Sequence, residues 1–175
     1  MASLRPSGGS PSLICYDGSE AAKKAIALAA DLLAVREAIV LTVWQPVDVA
    51  GGIGWTGGSA GTLNFAELDR AASDGAADLA NDGVSMATEI GLDARATTVR
   101  ASGPVWSTIC EVADRERAAV IIMGSRGLSG VKSLLLGSVS SSVLHHASRP
   151  TLIIHPDPGD RYGSPASAFS MASAS

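Results

Sequence analysis

This chain has no basic cluster. No run of lysine or arginine stands out, and the formal net charge is -4, which argues against nucleic acid as the main partner. It also has no stretch near the ~18 consecutive uncharged apolar residues that span a bilayer. Residues 1–12 hold no apolar segment of signal-peptide length. Together these absences predict a cytoplasmic protein with no membrane partner. Cysteine is scarce: Cys15 and Cys110 are the two, too few for a disulfide framework or a zinc cage. Each lies in an apolar run and reads as a buried thiol, the alternative being a reactive one. Charge is sparse too, at 17% against 46% hydrophobic, and much of the apolar share is alanine. That is the composition of a globular chain with closely packed helices. The 175 residues suffice for one domain with a sizeable core, and no internal repeat is visible.

What is present is an alternation of short apolar runs and helical patterns. Residues 1–11, rich in Ser, Gly and Pro, read as a disordered lead, and residues 157–175 as a disordered tail, leaving 12–156 as the domain. Strands are predicted over 12–16, 38–44, 93–100, 118–123 and 151–154, and helices over 20–35, 64–90, from Pro104 onward and over 139–147. In the long helix Phe65, Leu68, Ala72, Leu79, Met86 and Ile90 share one face, while Gly75 and Gly83 weaken it or allow close packing. Residues 45–62 contain six glycines and Trp55 and read as a binding loop or a plain insertion.

This β-α-β-α-β-α-β-α-β order requires helical crossovers between parallel strands. The fold class is therefore α/β, a doubly wound, Rossmann-like five-stranded parallel sheet. With the first strand central, the order is 3-2-1-4-5. The winding then reverses between strands 1 and 4, and a ligand crevice belongs beyond their carboxyl ends. Two sequence features meet there. Strand 4 runs into Gly124-Ser125-Arg126-Gly127, nine further residues and Gly137-Ser138, followed by a helix. Bare glycine amides and a helix N-terminus can cradle a phosphate, although glycine-rich loops also serve only to turn the chain. Strand 1 ends at Asp17, which can accept hydrogen bonds from a ribose or a base amine, or else serve as a turn residue or a cap for the first helix. Arg126 and Lys132 lie in the loop and could meet phosphate charge or remain solvated. His145 and His146 are adjacent, so they cannot form a metal pair spaced i, i+4. No catalytic residue and no protein metal ligand is assigned.

With these residues in place, the chain resembles the universal stress protein family. Gly124-Ser125-Arg126-Gly127, nine residues, then Gly137-Ser138 matches the G-2x-G-9x-G-(S/T) pattern of its ATP-binding branch without a gap. Tyr16-Asp17-Gly18-Ser19-Glu20 is similar to the family's first turn. His145-His146-Ala147 and Arg149-Pro150-Thr151-Leu152 are similar to its closing helix and strand. The resemblance implies the sheet of the adenine nucleotide alpha hydrolase-like group. It implies that Cys15, Tyr16 and Asp17 line the adenosine side and that Val43 touches adenine. Met123 and Gly124 would lie near the ribose and first phosphate. Gly127, Gly137, Ser138, Val139 and Ser140 would hold the phosphates, with Ser125 and Arg126 counted among the site residues. It further implies ATP as ligand, with Mg2+ or Mn2+ as a companion of the triphosphate, a homodimer paired through Thr151–Ile154, and a protein partner that reads the nucleotide state.

Two other functions remain open. A binder of cyclic AMP would use Asp17 and Val43 but little of the phosphate loop. An adenylyl-transfer enzyme would need a Ser-Gly-Gly loop after the first strand, where this chain has Asp17-Gly18-Ser19; Ser7-Gly8-Gly9-Ser10 precedes the strand instead.

Overall fold

The computed structural model describes residues 9–33, 36–46, 65–127 and 136–155. In these stretches five strands alternate with four helices: β1 (Ser12–Cys15), α1 (Glu20–Leu32), β2 (Glu37–Trp44), α2 (Phe65–Glu89), β3 (Asp93–Arg100), α3 (Val105–Arg115), β4 (Val120–Gly124), α4 (Ser138–His146) and β5 (Thr151–Ile154). All strand pairings are parallel and the order is β3-β2-β1-β4-β5, as expected from the sequence. Most of the lead (1–11), the tail (157–175), nearly all of the 45–62 loop, and Lys132 lie outside the described residues.

Strand alternation sends side chains to two cores. Ile14, Tyr16, Val40 and Ile122 meet α1 and α2 through Ala25, Ile26, Ala29 and Ala87. Leu13, Ile39, Leu41, Ile121 and Met123 meet α3 and α4 through Ile109, Val112 and Val143. The central strands are apolar on both faces because helices cover both.

Local signals set the element ends. Ser19 caps α1, its Oγ accepting the Ala22 N–H at 3.2 Å. Leu33 turns extended and ends α1 short of the expected residue 35. Gly91, at φ 88°, closes α2, a left-handed conformation that suits glycine. Strand β4 begins later than expected. Ala118 still donates to Ala113 O at 2.8 Å, so it belongs to the turn that follows α3.

The buried face of α2 departs from the expected one. Leu68 is 37% and Ile90 40% exposed, and Leu79 and Met86 are only partly buried. The stripe against the sheet is Ala76, Ala80, Gly83 and Ala87. A Cβ on Gly83 would stand 2.8 Å from Val40 Cγ1 and 2.9 Å from Tyr16 Cδ1, so the helix approaches too closely for a larger residue. A Cβ on Gly75, in contrast, would meet nothing within 4 Å among the described residues.

Candidate functional site

The carboxyl ends of β1 and β4 open onto a cavity of about 200 Å3. Twelve of the thirteen residues singled out from the sequence line it: Cys15, Tyr16, Asp17, Val43, Met123, Gly124, Arg126, Gly127, Gly137, Ser138, Val139 and Ser140. Leu41, Val105 and Ile109 complete the lining. These three are apolar and stand with Val43 and Met123 in the α3–α4 core. One side of the cavity is thus a hydrocarbon wall, and the other is built of hydroxyls, charges and glycine backbone.

The polar side is assembled by two turns. After β1, Asp17 Oδ1 accepts the Ser19 N–H at 3.0 Å while Gly18 adopts φ 79°. This is the turn role foreseen for Asp17, and it leaves Oδ2 to face the second turn. A Cβ on Gly127 would lie 2.5 Å from that oxygen. The loop after β4 therefore touches the acid after β1, although 110 positions of sequence numbering separate Asp17 from Gly127. Ser19 Oγ, 3.4 Å from Arg126 O, adds a link between the turns.

Ser125 is the exception to the expected lining. It is fully buried behind the cavity wall and serves as a junction. Its N–H donates to Ile154 O at 2.7 Å, and its carbonyl accepts the Gly137 N–H at 2.8 Å. Ser140 Oγ lies 2.9 Å from the same carbonyl and 3.0 Å from Gly137 O, one proton serving the two acceptors by turns. These bonds hold the start of α4 against the end of β4. The N-cap of α4, Gly137, offers no side chain to its first amides, so those N–H groups have no acceptor within the helix or from a cap side chain. They carry the positive end of the helix dipole toward the cavity.

Among the described residues two buried side-chain polar atoms lack a hydrogen-bond partner, Ser125 Oγ and Arg126 Nε. The Tyr16 ring turns away under α2, its hydroxyl 3.6 Å from Met86 Sδ. Burial first, then Cys110 and Asp17, push the Cys15 thiol up to about 12. The Cys15 thiol is therefore no nucleophile at neutral pH. Burial also raises Tyr16. Unfolded, Cys15 releases its proton near 9.0, while the native chain holds it to about 12. The native state binds more protons in that window, so stability falls as pH rises through it. Urea midpoints are expected to drop between pH 8.5 and pH 11 in the native chain, and to drop less in Cys15→Ala. An equal drop in both would refute the assignment.

Known proteins resemble this chain in sequence and in fold. A protein of Thermus aquaticus, the universal stress protein in QAH/OAS sulfhydrylase 3'region, is 33% identical over 145 residues, covering 81% of this chain and 96% of that one. Bacillus subtilis YxiE is 38% identical over 60 residues, which span 34% of this chain and 40% of YxiE. A Mycolicibacterium smegmatis universal stress protein matches over 40 residues, 23% of this chain and 14% of that protein. The solved structure of MJ0577 from Methanocaldococcus jannaschii superposes with a TM-score of 0.69 at 23% identity, over 85% of this chain and 97% of that one. An Arabidopsis thaliana family protein solved with AMP bound has a TM-score of 0.59 at 17% identity, over 87% and 95%. A universal stress protein in complex with cAMP has a TM-score of 0.59 at 21% identity, over 86% and 100%. The family model described as universal stress protein family matches residues 12–155. The chain belongs to the universal stress protein family.

Proposed function

We propose that this chain binds an adenine nucleotide, ATP foremost, in the cavity between β1 and β4, and acts as a non-catalytic module whose occupancy a protein partner reads. The observation that carries this reading is the meeting of Asp17 Oδ2 with Gly127 beside the uncapped start of α4. An acid suited to ribose or amine hydrogens thereby adjoins amides suited to phosphate. Leu41, Val43, Val105 and Ile109 offer the apolar surface that a purine ring needs. Mg2+ or Mn2+ would arrive with the triphosphate, held by phosphate oxygens. The non-catalytic role is supported by the titratable lining: a protonated Cys15, a Tyr16 turned under α2 and an Asp17 tied to its own turn. The domain assigned to this role is 12–156, in the cytoplasm.

Cyclic AMP is the second reading, favoured by the cAMP complex among the structural neighbours. The two separate on one experiment. Freshly purified protein is denatured and the released nucleotide identified by chromatography. Released ATP supports the first reading and released cAMP the second. Steady production of AMP and pyrophosphate from added ATP would reassign the chain to adenylyl transfer. If no adenine nucleotide is released and none binds on calorimetric titration, the proposal fails.

We propose in addition that the chain dimerises through β5. Ile121 N–H donates to Pro150 O at 2.8 Å and Ser125 N–H to Ile154 O at 2.7 Å. Even-numbered β5 backbone groups therefore face β4, and those of Thr151 and Ile153 face the open edge of an apolar strand. Ile153→Pro deletes an outward N–H and spares the internal ladder. By light scattering after size exclusion the parent is expected to be dimeric and Ile153→Pro monomeric and folded. A dimeric variant would exclude this edge.

A further inference from the structure

The binding reading leaves the role of Arg126 undecided, because a loop arginine can equally remain in solvent. Its surroundings decide the matter. One bond holds its backbone, from Ser19 Oγ to its carbonyl at 3.4 Å, and its Cα lies close to Gly137, where a Cβ would stand 3.6 Å away. Arg126 is thus placed beside the N-cap of α4. Arg126 is among the residues that line the cavity, and its Nε is buried without an acceptor. A buried guanidinium nitrogen with no partner is costly unless an acceptor arrives. Within the described lining Arg126 is the one cationic side chain, and Asp17 is the one carboxylate. That carboxylate repels phosphate, so the preference for an anion depends on the α4 amides and on Arg126.

Resting on the nucleotide reading above, we infer that Arg126 sets specificity for the number of phosphates, its Nε and guanidinium fork taking anionic phosphate oxygens. The amides of a helix N-terminus act on the nearest phosphate whatever follows it. A guanidinium acts on total phosphate charge and on paired oxygens. Its contribution therefore grows from adenosine, which carries no phosphate, through AMP and ADP to ATP.

The test measures affinities of adenosine, AMP, ADP and ATP by calorimetry at fixed Mg2+ and ionic strength, for the full chain and for Arg126→Ala and Arg126→Lys. In Arg126→Ala the expected loss is about tenfold or more for ATP, smaller for ADP, smaller again for AMP and within twofold for adenosine. Arg126→Lys should recover part of the ATP loss, since it restores the charge without the fork. Unliganded melting temperatures should stay within a few degrees of the parent. An unchanged ATP affinity in Arg126→Ala overturns the inference. So does an equal loss for all four ligands together with a lowered melting temperature, which marks a structural role. A parent chain that binds none of the four and no cAMP defeats the nucleotide reading itself, and this inference with it; one that binds cAMP alone overturns the inference only.

Discussion

Gly127→Val is expected to abolish nucleotide binding and leave the fold standing. Gly127 is exposed, and among the described residues its missing Cβ would meet only the Asp17 carboxylate, 2.5 Å from Oδ2 and 3.8 Å from Cγ. A carboxylate at the end of a side chain can swing aside, so the substitution is cheap for the fold. Its cost in stability is expected within about 1 kcal/mol, as for surface changes. The same displacement is ruinous for the site. Asp17 must rotate, its Oδ1 bond to Ser19 N–H at 3.0 Å is disturbed, and valine methyls enter the space between the acid and the α4 amides. Affinity for ATP is expected to fall at least a hundredfold, about 2.7 kcal/mol. Calorimetry measures the affinity, and a urea melt read by circular dichroism checks the fold. A double-mutant cycle with Asp17→Ala identifies the cause. If the clash with Asp17 carries the effect, Gly127→Ala should cost binding in the parent and little in the Asp17→Ala background. A folded Gly127→Val that binds ATP like the parent would refute the site.

The meeting of Asp17 and Gly127 was legible in the sequence because strand order is a matter of crossover rules. Once the first strand is central, whatever follows β1 and β4 must share a crevice. What the spacing could not reveal was which way each side chain turns. Ser125 lies inside the motif, yet it spends its backbone on Ile154 and Gly137 and stays behind the wall. Leu41 stands back from the carboxyl end of β2, where ligands are expected, so its place in the strand does not mark it. It lies two positions before Val43, hence on the same face, and that period is a signal the sequence does carry. Val105 and Ile109 stand on the inner face of α3, where they serve the core and the cavity at once.

Helix α2 shows the limit of reading faces by hydrophobic size. Large residues at helical spacing drew the expected stripe through Leu68 and Ile90, both of which emerge exposed. The true contact runs through Ala76, Ala80, Gly83 and Ala87. Small side chains bury little area each, but they let a helix close on the sheet until Tyr16 and Val40 touch its backbone side. Dispersion falls steeply with distance, so near approach by small residues competes with distant contact by large ones. An alanine-rich chain is where a ranking by hydrophobicity fails first.

The same distinction between filling space and approaching closely governs the other large effect, Gly124→Val, which is expected to disrupt the fold where Gly127→Val does not. A Cβ on Gly124 would stand 2.8 Å from Ala21 Cβ, 3.0 Å from the Ala21 carbonyl carbon and 3.1 Å from the Ala22 nitrogen. Two of these three neighbours are helix backbone, which cannot turn aside. They sit in the first turn of α1, where Ser19 Oγ accepts the Ala22 N–H and Ala21 and Ala22 are buried. Relief requires moving the whole helix start, which drags Ala25, Ile26 and Ala29 from the core. Overpacking a buried contact costs about 1–3 kcal/mol and occasionally more; with rigid backbone as the obstacle, a loss of about 3 kcal/mol or more is expected. Against a total stability of about 5–15 kcal/mol this leaves a marginal domain. Urea midpoints and thermal melts should fall sharply for Gly124→Val and by less for Gly124→Ala. Ala21→Gly should recover part of the Gly124→Ala loss by removing the closest atom, though not the carbonyl carbon behind it. A Gly124→Val chain as stable as the parent would show that β4 and α1 do not meet here. With the expected loss, the first two glycines of one motif divide the labour, Gly124 holding the helix to the sheet and Gly127 keeping the cavity open.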